Sequence, residues 1–361
     1  MRMVRASVHG AIDPSSLRAE GVDPGAIVDF SSNQSPLGAA PAVSLAVAGA
    51  VVDSYPDPRA AGLCEVLAER HAVAADQVIC GNGSTELIRL VAQLSLAPGD
   101  RAVALAPVFG ECEVATALAG AEVVHVPLPH IGRGAGFACD AERLRGMLVQ
   151  SDARLCWLCS PNNPTGTALP AGLVRDLVSQ YPDVLFVLDE AYCDLLPDHQ
   201  WSADLLDAGN LVVLRSMTKY WGLAGARLGY ALAGRAPARA LRSAAPPWSV
   251  NAFAQAAGLA ALADLDHHRR SVELLVGERD RLAAGLRRLG WSTEPSTAGF
   301  FLIHAGDAGE LRRELLARRC LVRDCTSFGL PGYVRVSPRH PRQNDLLVAA
   351  FAELAPPEVM E

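Results

Sequence analysis

Lysine is all but missing from this chain: of 32 basic residues, 31 are arginine and the single lysine is Lys219. A coding bias toward arginine can empty every position that needs only a surface charge. Arginine, however, cannot lose its proton near neutral pH and form a Schiff base with an aldehyde. The one retained lysine therefore marks a candidate for amine chemistry. Other absences narrow the class. No apolar run approaches the ~18 residues of a membrane span, and Met1–Asp13 carries no apolar stretch of the secretory kind. Excess positive charge is absent too. The net charge of −7 argues against nucleic-acid binding and leaves any anion site to a local arginine cluster. The nine cysteines follow no regular framework, and their odd number suits reduced thiols in a cytoplasmic protein. Cys156 and Cys159 lie in an apolar run that reads as a buried strand, so they are expected to be small core residues and no metal site is expected.

What is present is an ordinary globular composition over 361 residues, enough for about two domains. Strands are expected at Val78–Cys80, Ala102–Ala106, Glu122–Val126, Leu155–Cys159, Leu185–Leu188, Leu211–Leu214 and Leu228–Leu232. Helical spacing falls between them, at Glu86–Leu96, Glu111–Leu118, Ala141–Leu148 and Leu173–Tyr181. Such alternation with near-continuous apolar strands implies an α/β fold, a mainly parallel seven-stranded sheet covered on both faces. The texture changes after Trp248. Long helical patterns at Asn251–Leu265 and His268–Leu289 lead to strands near Phe300–His304, Leu321–Arg323 and Tyr333–Val336, with helices at Leu311–Arg319 and Gln343–Leu354. The expected division is a large domain over 41–264 and a smaller α+β domain from 1–40 and 265–361.

Three loops at strand ends carry chemistry. Gly81-Asn82-Gly83-Ser84-Thr85-Glu86 joins a strand to a helix, where backbone N–H groups and the helix dipole suit a phosphate. Asp189 closes the apolar run Val184–Asp189, a buried carboxylate in need of a partner such as a protonated ring nitrogen. Ser160-Pro161-Asn162-Asn163-Pro164-Thr165-Gly166 sets an amide at the end of another strand. Ligands of open α/β sheets bind outside these carboxyl ends, so the three loops can converge on Lys219.

Together these motifs resemble the fold-type I pyridoxal-phosphate enzymes of the class I/II aminotransferase group, over nearly the whole chain. The resemblance implies that Lys219 is the Schiff-base lysine and Asp189 the partner of the pyridinium nitrogen. It makes Tyr192 and Asn163 donors to the ring 3-oxygen and Phe109 the stacking ring. Ser84, Thr85, Ser216 and Arg227 would hold the cofactor phosphate. Tyr55, in Tyr55-Pro56-Asp57-Pro58, is similar to the tyrosine that reaches the phosphate of a neighbouring subunit, so a homodimer is implied.

Within the group, Tyr-Pro-Asp and the Asn-Asn-Pro-Thr-Gly loop are shared with histidinol-phosphate aminotransferases. His9-Gly10, Asp29–Asn33, Phe109-Gly110-Glu111, Trp248–Ala252 and Val322–Phe328 look more like threonine-phosphate decarboxylase of cobalamin biosynthesis. Arg335 resembles the arginine that meets the substrate carboxylate; Arg323, His9 and Asn33 are the further candidates for the substrate, expected to be a small anionic amino acid. The sequence departs from the decarboxylase pattern at Ala11, Ser35, Cys112 and Leu223-Ala224-Gly225. The resemblance favours decarboxylation of a phosphorylated or phosphonate-like amino acid, with transamination of the histidinol-phosphate type as the alternative. The two differ by which bond at Cα stands perpendicular to the cofactor ring, a rotation that sequence does not fix.

Overall fold

The computed structural model describes residues 8–132, 134–196, 201 and 203–357. All seven expected strands form one sheet, ordered 78–82, 228–233, 211–216, 185–189, 155–159, 101–106 and 122–127. Strand Leu228–Ala233 runs antiparallel to both neighbours and the other contacts are parallel. The sheet is buried on both faces because alternate residues serve two cores. Cys156, Leu158, Phe186 and Leu188 pack on one side, and Leu155, Trp157 and Val187 on the other. Cys156 and Cys159 stand three apart in an extended strand, which points them to opposite faces, so one ion cannot reach both thiols.

The strands run further than their apolar cores suggest, by one or two residues at the functional edge. Val78–Asn82, Leu185–Asp189 and Leu211–Ser216 continue into polar residues because ladder hydrogen bonds, not hydrophobicity, set where they stop. The two long helices meet at Asp264, which ends Ala252–Ala263 and caps Leu265–Arg288 by accepting from the His267 N–H at 2.9 Å. Helices Pro41–Ala48, Ala61–His71 and Arg235–Ala244 were not expected from the pattern.

Leu321–Arg323, expected as one strand, is divided at Val322. Cys320–Leu321 pairs in parallel with Val28–Asp29, while Arg323–Asp324 joins an antiparallel sheet with Tyr333–Val336 and Phe301–His304. The chain changes partners there, and the change places Arg323 directly opposite Arg335.

Candidate active site

Six strands deliver their carboxyl ends to one edge: Asn82, Ala106, Pro127, Cys159, Asp189 and Ser216. The antiparallel strand enters the sheet at that same edge, which is why Arg227, just before it, arrives there as well. A cavity of about 800 Å³ opens over this edge. It is lined by thirteen of the fourteen residues singled out in the sequence: His9, Asn33, Ser84, Thr85, Phe109, Asn163, Asp189, Tyr192, Ser216, Lys219, Arg227, Arg323 and Arg335. The exception is Tyr55. It is 79% exposed, lies outside the cavity and stacks on Trp248 at 4.6 Å.

Lys219 follows the Leu211–Ser216 strand, and its Nζ stands 5.8 Å from the centre of the Tyr192 ring. Its carbonyl is fixed by the Ser35 and Gly222 N–H groups, so the backbone is held while the amine extends into the cavity. Asp189 is buried, and that burial pushes its carboxyl up to about 6, against the downward pull of the Ala191 N–H and the Lys219 charge. The Ala191 N–H donates to Asp189 Oδ1 at 3.0 Å. Asn33 Nδ2 donates to the Tyr192 hydroxyl at 3.0 Å, while its own Oδ1 is buried with no hydrogen bond.

Opposite lies an anion cradle. The helix Gly83–Ser95 begins at the cavity, with Ser84 and Thr85 of its first turn lining it beside Ser216, Thr218 and Arg227. The Ser216 and Thr218 hydroxyls are 2.7 Å apart. Gly229 keeps this cradle tight: a Cβ there would stand 2.4 Å from the Ser84 nitrogen.

On the other side, Arg323 and Arg335 are 7% and 4% exposed, a like-charged pair on adjacent strands. Like charges so placed repel, and burial adds to the cost. Burial, then the Arg335 charge, lowers the Arg323 pKa. Arg335 donates to Asn163 Oδ1 and, at 2.6 Å, to the Ser31 carbonyl, and its Nε is buried without a partner. Arg323 donates to Ser327 Oγ at 2.7 Å and lies over the Phe328 ring. Such an arrangement calls for an anion.

Several lining residues escaped the sequence reading. Thr218 sat inside the lysine motif unremarked. Glu86, Arg89 and Gln93 share one helical face at spacings of three and four, a pattern that could have flagged them once the loop before them was taken as a cradle. Of the departures from the decarboxylase pattern, Ala11 and Ala224 line the cavity, whereas Ser35 and Cys112 are buried away from it.

A lysine in a cavity, a buried carboxylate short of a cationic donor and a helix-end anion cradle fit an aldehyde-bearing, phosphorylated pyridine. Comparison with known proteins agrees. The family model described as aminotransferase class I and II matches residues 26–351. The chain belongs to this family. Its cofactor is pyridoxal 5'-phosphate, and its fold is fold type I. Among curated relatives, the histidinol-phosphate aminotransferase of Symbiobacterium thermophilum is 40% identical over 330 residues, 90% of each chain. Histidinol-phosphate aminotransferase 2 of Pseudomonas aeruginosa is 38% identical over 93% of this chain and 91% of its own. Among solved structures, the histidinol-phosphate aminotransferase of Sinorhizobium meliloti in complex with pyridoxal 5'-phosphate gives a TM-score of 0.84 at 27% identity, covering 95% of this chain and 94% of that one. The L-threonine-O-3-phosphate decarboxylase of Porphyromonas gingivalis gives 0.79 at 29%, covering 91% and 99%.

Proposed function

We propose that this family member is an aminotransferase of the histidinol-phosphate type, moving an amino group between a phosphate-bearing amine and a keto acid. The observation that carries the substrate class is the buried Arg323–Arg335 pair lining the same cavity as Lys219, which suits a substrate with an anionic group. The reaction class is supported by the curated relatives, aminotransferases at up to 40% identity, whereas the decarboxylase favoured by the motifs enters as a structural neighbour at 29%. On this reading 41–264 is the cofactor-bearing domain, and 1–40 with 265–361 is the smaller one. The enzyme works as a homodimer in which Tyr55 serves the partner's cavity.

The cofactor, when bound, draws electrons from the carbon that bears the substrate amine. Ser84, Thr85, Ser216 and Arg227 would hold its phosphate. Asp189 would accept from its ring nitrogen, Asn163 and Tyr192 would donate to its ring oxygen, and Phe109 would pack against the ring. Lys219 Nζ would be the group that binds the cofactor's aldehyde and the base that moves the proton at the substrate carbon. Arg335, braced on Asn163, would take an anionic group of the substrate, the phosphate of the amine or the carboxylate of the keto-acid partner. A phosphate-bearing amine of the histidinol-phosphate type has no carboxylate to lose, so the C–H bond is the one left for Lys219. Arg323, with Asn33, would face the far end of the substrate.

The test is to give the holoenzyme histidinol phosphate with 2-oxoglutarate, and separately threonine phosphate, measuring glutamate and CO2. Glutamate from the first and no CO2 from the second is the expected result. CO2 without glutamate would replace this reading by decarboxylation, which the 99% coverage of the decarboxylase neighbour and the motif at His9-Gly10 keep as the second reading. Arg323→Ala should then cost about tenfold or more in kcat/KM for substrates with a distal anion, and little for those without.

A further inference from the structure

The backbone at Val8–Ala11 separates two cavities. These four residues, with Ser31 and Arg323, line both the 800 Å³ cavity and a second of about 340 Å³ bounded by Asp13, Ser16 and Arg312. Among the described residues, three hydrogen-bonding contacts fasten the segment. The Val8 carbonyl accepts from Arg323 at 2.8 Å, His9 Nε2 lies 3.1 Å from Glu111 Oε1, and the Ala11 N–H donates to Ser31 Oγ at 2.8 Å. Ser31 in turn holds Arg335 through its carbonyl. The segment therefore touches the supports of both arginines. Two features show that it is drawn tight. A Cβ on Gly10 would stand 2.4 Å from the Ser31 carbonyl oxygen and 3.3 Å from Arg335. Ala11 has φ +100°, a conformation that costs a residue with a side chain and persists where the surroundings impose it.

Glu111 is the anchor on the opposite side. It is 5% exposed, in the first turn of the helix Gly110–Leu118, and its second oxygen accepts from Arg89 at 3.0 Å. A buried carboxylate survives by such pairing, and here one of its partners is the strap itself. His9 also leans on the Phe109 ring, with centroids 5.7 Å apart.

We propose that Glu111 is a positioning residue for substrate binding: through His9 it fastens the Val8–Ala11 strap, which sets Arg323 and Arg335 for the substrate's anions. This rests on the reading of the two arginines as anion contacts. The test uses the holoenzymes of Glu111→Gln, His9→Ala, the double variant and Gly10→Ala, which strains the strap without removing the ion pair. Each should raise KM for the phosphate-bearing substrate about tenfold, with kcat within about threefold. Each should weaken inorganic phosphate binding by calorimetry, and none should change cofactor affinity in an absorbance titration. The double variant should lose no more than either single one, since both break one coupling. Additive losses would mean that His9 meets the substrate independently, and the proposal falls. It also falls if KM is unchanged in Gly10→Ala, or if cofactor affinity drops alongside KM. A wild-type enzyme that acts on no phosphate-bearing substrate sinks the functional reading instead, while phosphate binding still reports on the strap.

Discussion

Asp189 shows what a single buried charge does to this protein without and with its partner. Its folded pKa of about 6 lies above the unfolded value of 3.8. The folded chain therefore holds more protons than the unfolded one between these values, and stability falls as pH rises through that window. Above it the apoprotein carries a constant cost of about 3 kcal/mol, because each tenfold change in proton affinity is worth about 1.4 kcal/mol. Asp189→Asn should thus melt several degrees higher than the wild-type apoprotein at pH 8, with the difference vanishing near pH 4. The same change should lower turnover by about a hundredfold or more, because the amide no longer stabilises a protonated ring nitrogen. Scanning calorimetry of both apoproteins across that pH range checks the first half, and equal melting at every pH would refute it. Lys219 stood out in the sequence for a different reason: it is the single lysine among 32 basic residues, which marked it as a candidate for amine chemistry.

The phosphate cradle depends on one strand lying against one loop. Gly229 sits opposite both Gly81 and Ser216, and the Arg227 carbonyl accepts from the Gly83 N–H at 3.0 Å. An alanine at 229 must push the Ser84 nitrogen away, since its Cβ has backbone, not a flexible side chain, in front of it. Gly229→Ala should weaken cofactor binding about tenfold or more, equivalent to losing one charge-assisted contact. An absorbance titration measures this, and an unchanged affinity would show that the loop can yield. The glycine was visible in Arg227-Leu228-Gly229-Tyr230, but its reason was not. The need comes from the antiparallel entry of that strand, which no local pattern reveals.

Across the whole molecule, the residue left outside the cavity is the informative one. Tyr55 and Trp248 stack at the surface beside Val51, Val52 and Phe253, all substantially exposed apolar groups around a groove of about 490 Å³. A patch of this kind is a natural contact for a second chain. Mixing Lys219→Ala with Tyr55→Phe chains should give heterodimers with one intact composite site, and activity above either parent. A fully active monomer in solution would be incompatible with a shared site.

The seven strands of the large sheet, in chain order, and thirteen of the residues around the cavity at its edge were legible in the sequence by itself; the order of the strands across the sheet and the helices Pro41–Ala48, Ala61–His71 and Arg235–Ala244 were not. Each strand is an apolar run between turn or helix signals, and the rule that ligands gather at carboxyl ends needs only that order. Chain length and spacing could not say how Arg323 and Arg335 meet, because that depends on the chain leaving one sheet at Val322 and pairing with another. Nor could they show Glu111 holding His9 across 102 positions, since such a contact is made only when two distant segments pack together. Tertiary structure decided these, because the repulsion and desolvation of buried charges depend on neighbours in space rather than in sequence.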